Sequence, residues 1–497
     1  MKRSLIRLIC FLLCAVMLLI PLMACSDDNP ADDKKPNDES NEKDPTDNPG
    51  DNGTDEDELT AQNVLSLFSK EDFDEADFVI AAASSYENRF VIDQFATADA
   101  MTGDMVQDEL FKRDNMIEEY FNISLVYDDV LDSQMAAYVS VGISAGDDEY
   151  SLLLASLGKT AQPLFNNGLL RNMYDFESVD LSRSWWNKQS VDNFEVGGKI
   201  FMATGAITNR YVYAPYAMLF NTRLIEDLEM ENPYDLVEEG TWTMEVFISM
   251  IEETYVDDGN EEIGLEDFYG LAPASDSETA YYFAFGGQMV AKNGDSLVPV
   301  HEEKANYDIL QQIIDMYRMD DVLKFKNVYD SNVTFNEGRA IFHSTALCDI
   351  TMLSEMQDRY GIVPMPKYNE QQQDYVSNAN RYISTMAVFP YTVRDTAKVG
   401  LIVEAMAALS QYTSLDKQYE KVLLSRQALD AQSKKNLQLV VESISYDWGY
   451  VFDIGRVNSL IASAILNGAE GVADDYATIR DVVQNDLEAL IEKFQEN

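Results

Sequence analysis

Few side chains in this sequence could make or break a bond, and their spacing limits what they could do. The four cysteines are Cys10, Cys14, Cys25 and Cys348, and the two histidines are His301 and His343. A zinc centre built on Cys or His needs three or four such ligands, set in closely spaced pairs, so that chemistry is excluded. No nucleophile elbow at a strand-to-helix turn, metal-ligand pair or Gly-rich phosphate loop appears. Carboxylates are abundant, with 87 Asp and Glu residues in the chain. Two positioned carboxylates suffice for glycoside hydrolysis, but at this abundance a pair can always be found, so the count carries no information. No catalytic residue is assigned, and no cofactor or metal is expected.

The cysteine with a distinctive setting is Cys25. Lys2, Arg3 and Arg7 precede an apolar run from Leu8 to Met23, and Ala24 stands just before the thiol. A basic start, an apolar stretch and a small residue before the cut form a secretory signal peptide. The ending Leu22-Met23-Ala24-Cys25 resembles a bacterial lipobox, in which the cysteine is fatty-acylated (palmitate) and becomes the new N-terminus. Residues 1–24 are therefore read as a lipoprotein signal peptide and Cys25 as the lipidation site. The mature chain is expected on the extracytoplasmic face of a bacterial membrane.

Residues 25–58 suit a tether. From Ser26 to Glu58 the chain is almost wholly Asp, Asn, Pro, Lys, Glu, Ser, Thr and Gly, with only Lys34, Lys35 and Lys43 against many carboxylates. Such a segment cannot bury enough apolar surface to offset its chain entropy, so disorder is expected. A coil of this length spans roughly 30 Å.

The remaining body, from Leu59 to Asn497, is long enough for two domains. Hydrophobic residues make up 46% of the chain and aromatic ones 11%, which allows an ample core. Once the leader and the lipid site are set aside, Cys348 is the single thiol, so no internal disulfide is expected. A net charge of −51 repels phosphate backbones and anionic lipid heads. Nucleic acid is excluded as a partner, and attachment to the membrane is left to the lipid.

Elements follow from periodicity. Val79 to Ala82, Ile123 to Tyr127 and Asp148 to Ser156 read as strands. Met101 to Phe121 and Ser133 to Ser144 read as helices, the first with Val106, Leu110, Ile117 and Phe121 on one face. Continuous apolar strands alternating with helices predict a parallel sheet covered on both sides. Phe194 to Phe201 reads as a hairpin about Gly197-Gly198, and Met218 to Asn221 as a strand entering a helix. Asn232-Pro233-Tyr234 reads as a turn, Thr241 as a helix N-cap and Gly361 to Pro366 as an extended segment. Tyr476 to Gln495 reads as a final helix with Ile479, Val482, Val483, Leu487, Leu490, Ile491 and Phe494 on one face.

A set of motifs then falls into order. Trp185-Trp186-Asn187 leads to Val196-Gly197-Gly198-Lys199-Ile200-Phe201. Leu219-Phe220-Asn221-Thr222-Arg223-Leu224, Asn232-Pro233-Tyr234 and Gly240-Thr241-Trp242-Thr243 follow. Phe268-Tyr269-Gly270-Leu271, Phe335-Asn336-Glu337-Gly338-Arg339-Ala340 and Tyr360-Gly361-Ile362-Val363-Pro364-Met365-Pro366 complete the set. The set resembles the extracellular solute-binding proteins of ABC importers, family 1, which include maltose-binding protein. The resemblance implies a two-lobed α/β fold, each lobe a mostly parallel sheet flanked by helices, with ligand in the cleft between them. It implies crossings near Tyr213–Met218, Gly361–Pro366 and Leu424–Ala431. The first lobe would take 59–215 and 364–428, and the second 216–363 and 429–497. Relatives often carry a calcium-type loop where this chain has Val256 to Asp267. Here Val256 replaces the first ligand and Glu261 the turn glycine, so an acidic surface loop is expected.

The resemblance also places candidate ligand contacts in loops at strand ends. These are Tyr86, Asn88 and Arg89 after the first strand, Tyr211 at the first crossing, Tyr281 in the second lobe, Trp186, and the pair Asp447 and Trp448. A sugar needs flat aromatic platforms and side chains that exchange directional hydrogen bonds, and Trp448 heads this group as a platform. Trp242 is expected in the core, His343 and Cys348 as structural residues. The function implied is a monomeric receptor that passes a mono- or oligosaccharide to permease subunits, with no reaction catalysed. A secreted glycan-active lipoprotein enzyme and an outer-membrane glycan-docking lipoprotein are the alternatives.

Overall fold

The computed structural model describes residues 59–83, 85–86, 90–91, 93–260, 262–324, 329–423, 431–468 and 471–496. Among the described residues, Leu59, Val64 and Leu65 already belong to the core.

The first lobe is built on a four-stranded sheet. Strand Ala76–Ala82 lies between two parallel neighbours, Ile123–Asp129 and Leu152–Ser156. Ile80 faces Tyr127 on one side and Leu152 on the other. The strand is continuously apolar at its end because both faces are covered. Helix Met105–Phe121 crosses between strands and buries Val106, Leu110, Ile117 and Phe121. Asp104 caps it, accepting from the amides of Val106 and Gln107, so the helix starts later than its apolar pattern alone predicted. The fourth strand, Thr385–Val388, arrives from much later in the chain and runs antiparallel to Leu152–Ser156.

The second lobe has a sheet in the order Tyr360–Val363, Tyr216–Asn221, Ala340–Ala346, Tyr269–Leu271. Strand Tyr216–Asn221 is antiparallel to both its neighbours, and only Ala340–Ala346 with Tyr269–Leu271 is parallel. Antiparallel pairing therefore dominates this sheet, unlike the mostly parallel one expected. The strand that enters from the first lobe comes in opposite to the direction of its neighbours.

The chain first crosses at Ala214–Pro215, where Pro215 bridges to Ala379 and Asn380 N–H donates to the Ala214 carbonyl. The segment that follows residue 364 keeps bonds to second-lobe backbone. Trp242 Nε1 donates to the Pro364 carbonyl at 2.8 Å, Lys367 N to Trp242 O at 3.0 Å, and Gln372 Nε2 to Ala284 O at 2.9 Å. Pro364 and Pro366 end the strand, yet the residues after them are still bonded to second-lobe backbone. The crossing falls at Ser377–Asn378, which pairs in parallel with Ile444–Ser445 in a small hinge ribbon. Helix Ser414–Leu423 packs on Met105–Phe121, and helix Ala431–Glu442 on Tyr360–Val363. The expected passage near Leu424–Ala431 falls largely between these two helices, outside the described residues.

Several local expectations change: Phe194 ends helix Lys188–Phe194, and a single bridge between Val196 and Lys199 stands where a hairpin over Phe194 to Phe201 was expected. Asn232 is the N-cap of helix Pro233–Glu239, its side chain accepting from Tyr234 N–H, so the expected turn is a helix start. Helix Met244–Ile251 begins after Thr243, and the amides of Thr241 and Trp242 instead donate to Leu236 O. Trp242 and His343 are fully buried, and Cys348 is buried. In the acidic loop, the Asp267 carboxylate accepts from Gly264 N at 2.8 Å, Tyr255 Oη at 2.9 Å and Asp258 N at 3.0 Å. These bonds occupy the carboxylate and hold its pKa down.

Candidate functional site

Open α/β sheets offer ligands the carboxyl ends of their parallel strands. Those ends are Ala82, Asp129 and Ser156 in the first lobe, and Leu271 and Ala346 in the second. Segment 380–384, between the hinge ribbon and strand Thr385–Val388, brings the two sides together. Leu157 N donates to Ser384 O and Gly158 N to Arg381 O, each at 2.8 Å, which fixes the segment over the first-lobe strand end. Asn380 Nδ2 reaches Tyr216 Oη of the second lobe at 3.0 Å.

Arg381 is the centre of this junction. Its guanidinium lies 5.0 Å from the ring of Tyr382 and 5.3 Å from that of Tyr450. Nη2 donates to Tyr382 Oη at 2.9 Å, and Nη1 to the Tyr450 carbonyl at 2.5 Å. Tyr382 belongs to the first lobe and Tyr450 to the second, so a cation stacked between two tyrosines joins the lobes. Lys159 Nζ is 5.8 Å from the Tyr382 ring. A side chain at Gly158 would meet Arg381 Cγ at 3.1 Å, so the guanidinium stem depends on that glycine.

Asp453 Oδ1 lies 3.9 Å from Arg381 Nη2, and Asp276 and Glu278 act electrostatically on the junction tyrosines Tyr450 and Tyr216. Asp276 is exposed and sits in left-handed backbone (φ 70°) before helix Ser277–Ala284. Glu278, the second residue of that helix, is buried, and burial raises its carboxyl to about 7, with the Asp276 charge adding to the shift. Tyr216 is buried, which pushes its hydroxyl well up, and Tyr450, Asp276 and Glu278 add to the shift. The junction thus combines aromatic rings, fixed N–H donors and carboxylate acceptors, the groups a polyhydroxylated solute requires. One stretch does have the spacing of a nucleophile elbow, Gly142-Ile143-Ser144-Ala145-Gly146. It closes helix Asp132–Ala145 and leaves Ser144 exposed, so it is not the strand-to-helix turn that motif needs.

The expected ligand residues are dispersed. Trp448 is 2% exposed and packs as core. It stacks on Phe452 at 5.1 Å and meets Phe194 and Phe494 edge-on at 5.8 Å. Asp447 caps the same turn through Tyr450 N–H and accepts from Met289 N at 2.9 Å, with burial raising its carboxyl to about 6. Both border a groove of about 740 Å³ shared with Phe283 and Gln288. Tyr281 is buried in the second-lobe core against Phe247 and Tyr317. Trp185 and Trp186 are buried, and their indole N–H groups donate to the two oxygens of Glu404 at 2.8 and 2.9 Å. Tyr211 is buried, which raises its hydroxyl to about 12. Trp186 and Tyr211 border another groove, of about 1050 Å³, together with Tyr419 and Glu442. Tyr86 lies in the short strand Ser85–Tyr86. Asn88, Arg89 and Cys25 fall outside the described residues.

Arg381 and Tyr382 were not singled out by the sequence. Their only signal is a polar stretch, Asn380-Arg381-Tyr382, ahead of a buried apolar strand. Tyr450 stood beside Trp448 in sequence, but residues two apart on a helical turn point about 200° apart. The structure turns Tyr450 to the junction and Trp448 away from it.

No protein-family model and no curated protein matches the chain. Solved structures do match. An ABC substrate-binding protein of Listeria monocytogenes in complex with cycloalternan has a TM-score of 0.51 at 13% identity, covering 85% of this chain and 100% of its own. A cyclo/maltodextrin-binding protein complexed with maltotetraose gives 0.53 at 12%, covering 84% and 97%. The GacH receptor of Streptomyces glaucescens, solved unliganded and with acarbose, gives 0.53 at 14%, covering 83% and 99%. At these identities the likeness establishes the fold.

Proposed function

We propose that this chain, which has the two-lobed fold of ABC substrate-binding proteins, captures a carbohydrate where its lobes meet and delivers it to an ABC import permease. The observation that carries this reading is the Tyr382–Arg381–Tyr450 stack across the junction. A tyrosine ring can cover a sugar's C–H face, while Arg381, Lys159 and Asp276 exchange hydrogen bonds with its hydroxyls. The structural neighbours solved with cycloalternan, maltotetraose and acarbose support a mono- or oligosaccharide as the solute. Because contacts come from both lobes, solute favours the arrangement in which both can touch it. No bond is made or broken. Acylation at Cys25 holds the monomer to the extracytoplasmic face of the membrane, and residues 26–58 set it off from the lipid.

Calorimetric titration with maltose, maltotriose, maltotetraose and a cyclic glucan tests the reading. One of them should bind saturably, and Tyr382→Ala should weaken that binding by about 1–3 kcal/mol. Turnover of chromogenic glycosides without saturable binding would replace the receptor by a glycan-active enzyme.

A further inference from the structure

The C-terminal helix, Val472–Glu496, is fastened to the second lobe along most of its length. Tyr476 packs edge-on to His301 at 4.8 Å, and Arg480 Nε donates to Glu302 at 2.8 Å. The amide of Gly455 donates to the Asp486 carboxylate at 2.8 Å, and a Cβ at Gly455 would come within 2.3 Å of Val483 Cγ2. The last turn leaves this lobe. Phe494 contacts Phe165 at 4.9 Å and Phe201 at 5.5 Å, both in the first lobe, and Trp448 at 5.8 Å.

Other rings extend the contact. Phe165 meets Phe452 at 5.8 Å, and Phe194 meets Trp448 at 5.8 Å. Phe165, Phe194 and Phe201 of one lobe thus interlock with Trp448, Phe452 and Phe494 of the other. Polar bonds line the same flank. Lys199 Nζ reaches Gln495 O at 3.4 Å, at a helix C-terminus where a cation is favoured. Lys292 Nζ reaches Asp192 O at 2.6 Å, and Gly197 N reaches Asp295 Oδ1 at 3.1 Å. The aromatic seam and the junction lie on opposite faces of the Trp448–Val451 turn, since Trp448 enters one and Tyr450 the other.

We propose that the last turn of the C-terminal helix is a strap that holds the lobes in the solute-competent arrangement, so that Phe494 sets affinity without touching solute. The affinity half of the proposal rests on the junction being the binding site. Interlocked rings from two lobes fit in one relative placement, and separating them would expose apolar surface. The population of that placement divides directly into the apparent dissociation constant.

The test uses the full chain with Phe494→Ala, Phe494→Leu as the conservative companion, and Val482→Ala on the exposed face of the same helix as control. Amide hydrogen exchange is read first, without solute. Phe494→Ala should speed exchange by about tenfold at the hinge ribbon and at residues 380–384, leave the central strands unchanged, and be largely restored by Leu. Acceleration confined to the last turns, or spread evenly through both sheets, would overturn the strap, the first as fraying and the second as general destabilisation. With maltotetraose as probe, the dissociation constant should then rise about tenfold in Phe494→Ala and stay constant in Val482→Ala. If wild type binds no sugar while the exchange pattern appears, the strap stands and the site reading fails.

Discussion

At the scale of single residues, exposure decides which aromatic side chains can serve a ligand. Trp448 has a flat ring and an acidic neighbour, but Phe452, Phe194 and Phe494 already cover it. Trp448→Ala should therefore cost about 3–5 kcal/mol of stability, measured by denaturant unfolding. A stable variant with weakened sugar binding would reinstate the indole as a platform. Glu404 offers a pH test. Burial raises its carboxyl to about 7 in the folded protein, against the indole bonds that favour the ionised form. The unfolded group titrates near the ordinary glutamate value. Between those two values the folded state holds the extra proton, so the stability contribution is full below the lower value and falls as pH rises toward 7. The stability difference between wild type and Glu404→Gln should shrink by on the order of 2 kcal/mol across that window, read from unfolding midpoints. A constant difference would mean that Glu404 stays ionised throughout.

At the scale of elements, close backbone approach fixes how the first lobe feeds the crossing. Gly205 is extended and bridges to Trp186, and an added Cβ would lie 2.3 Å from the Trp185 carbonyl. That carbonyl is backbone bonded to Ala206 N and cannot yield cheaply. Gly197, at the tip of the hairpin closed by Val196 and Lys199, has no heavy atom within 4 Å of such a Cβ and carries only a left-handed φ of 59°. Gly205→Ala should thus lose about 3 kcal/mol or more, and Gly197→Ala about 1 kcal/mol. Thermal melts of the two variants compare them, and equal losses would show that steric contact at Gly205 is relieved by backbone movement. The final helix makes a related point about faces. Val483, Leu487, Leu490 and Phe494 are buried as their spacing predicted, but Val482 is 48% exposed. An apolar residue at the margin of a stripe can fall on either side of it.

At the scale of the whole molecule, the proposed function depends on where the folded body is held. Lipidation at Cys25 is expected from the residues that precede it, Leu22-Met23-Ala24. Metabolic labelling with a fatty acid should mark the wild type in a bacterial host and miss Cys25→Ser. Equal labelling of both would remove the anchor from the account. None of the described helices is long and apolar enough to cross a membrane.

The sequence by itself determined the alternation of strands and helices in the first lobe, because their periodicities are local and the apolar runs there are buried on both faces. Ordered motifs pointed to the two-lobed fold. Tertiary structure alone decided which distant residues meet at the junction. Whether residues 364–376 belong to one lobe or the other depends on hydrogen bonds to Trp242 and Ala284, more than 80 residues away in the chain. Arg381 and Tyr450 meet only because the hinge ribbon pairs Ser377–Asn378 with Ile444–Ser445. Trp448 and Tyr450 share a four-residue turn and equal aromatic character. Which of them packs as core and which faces the junction is set by the side of that turn on which the first lobe lays its phenylalanines, and no local pattern carries that information.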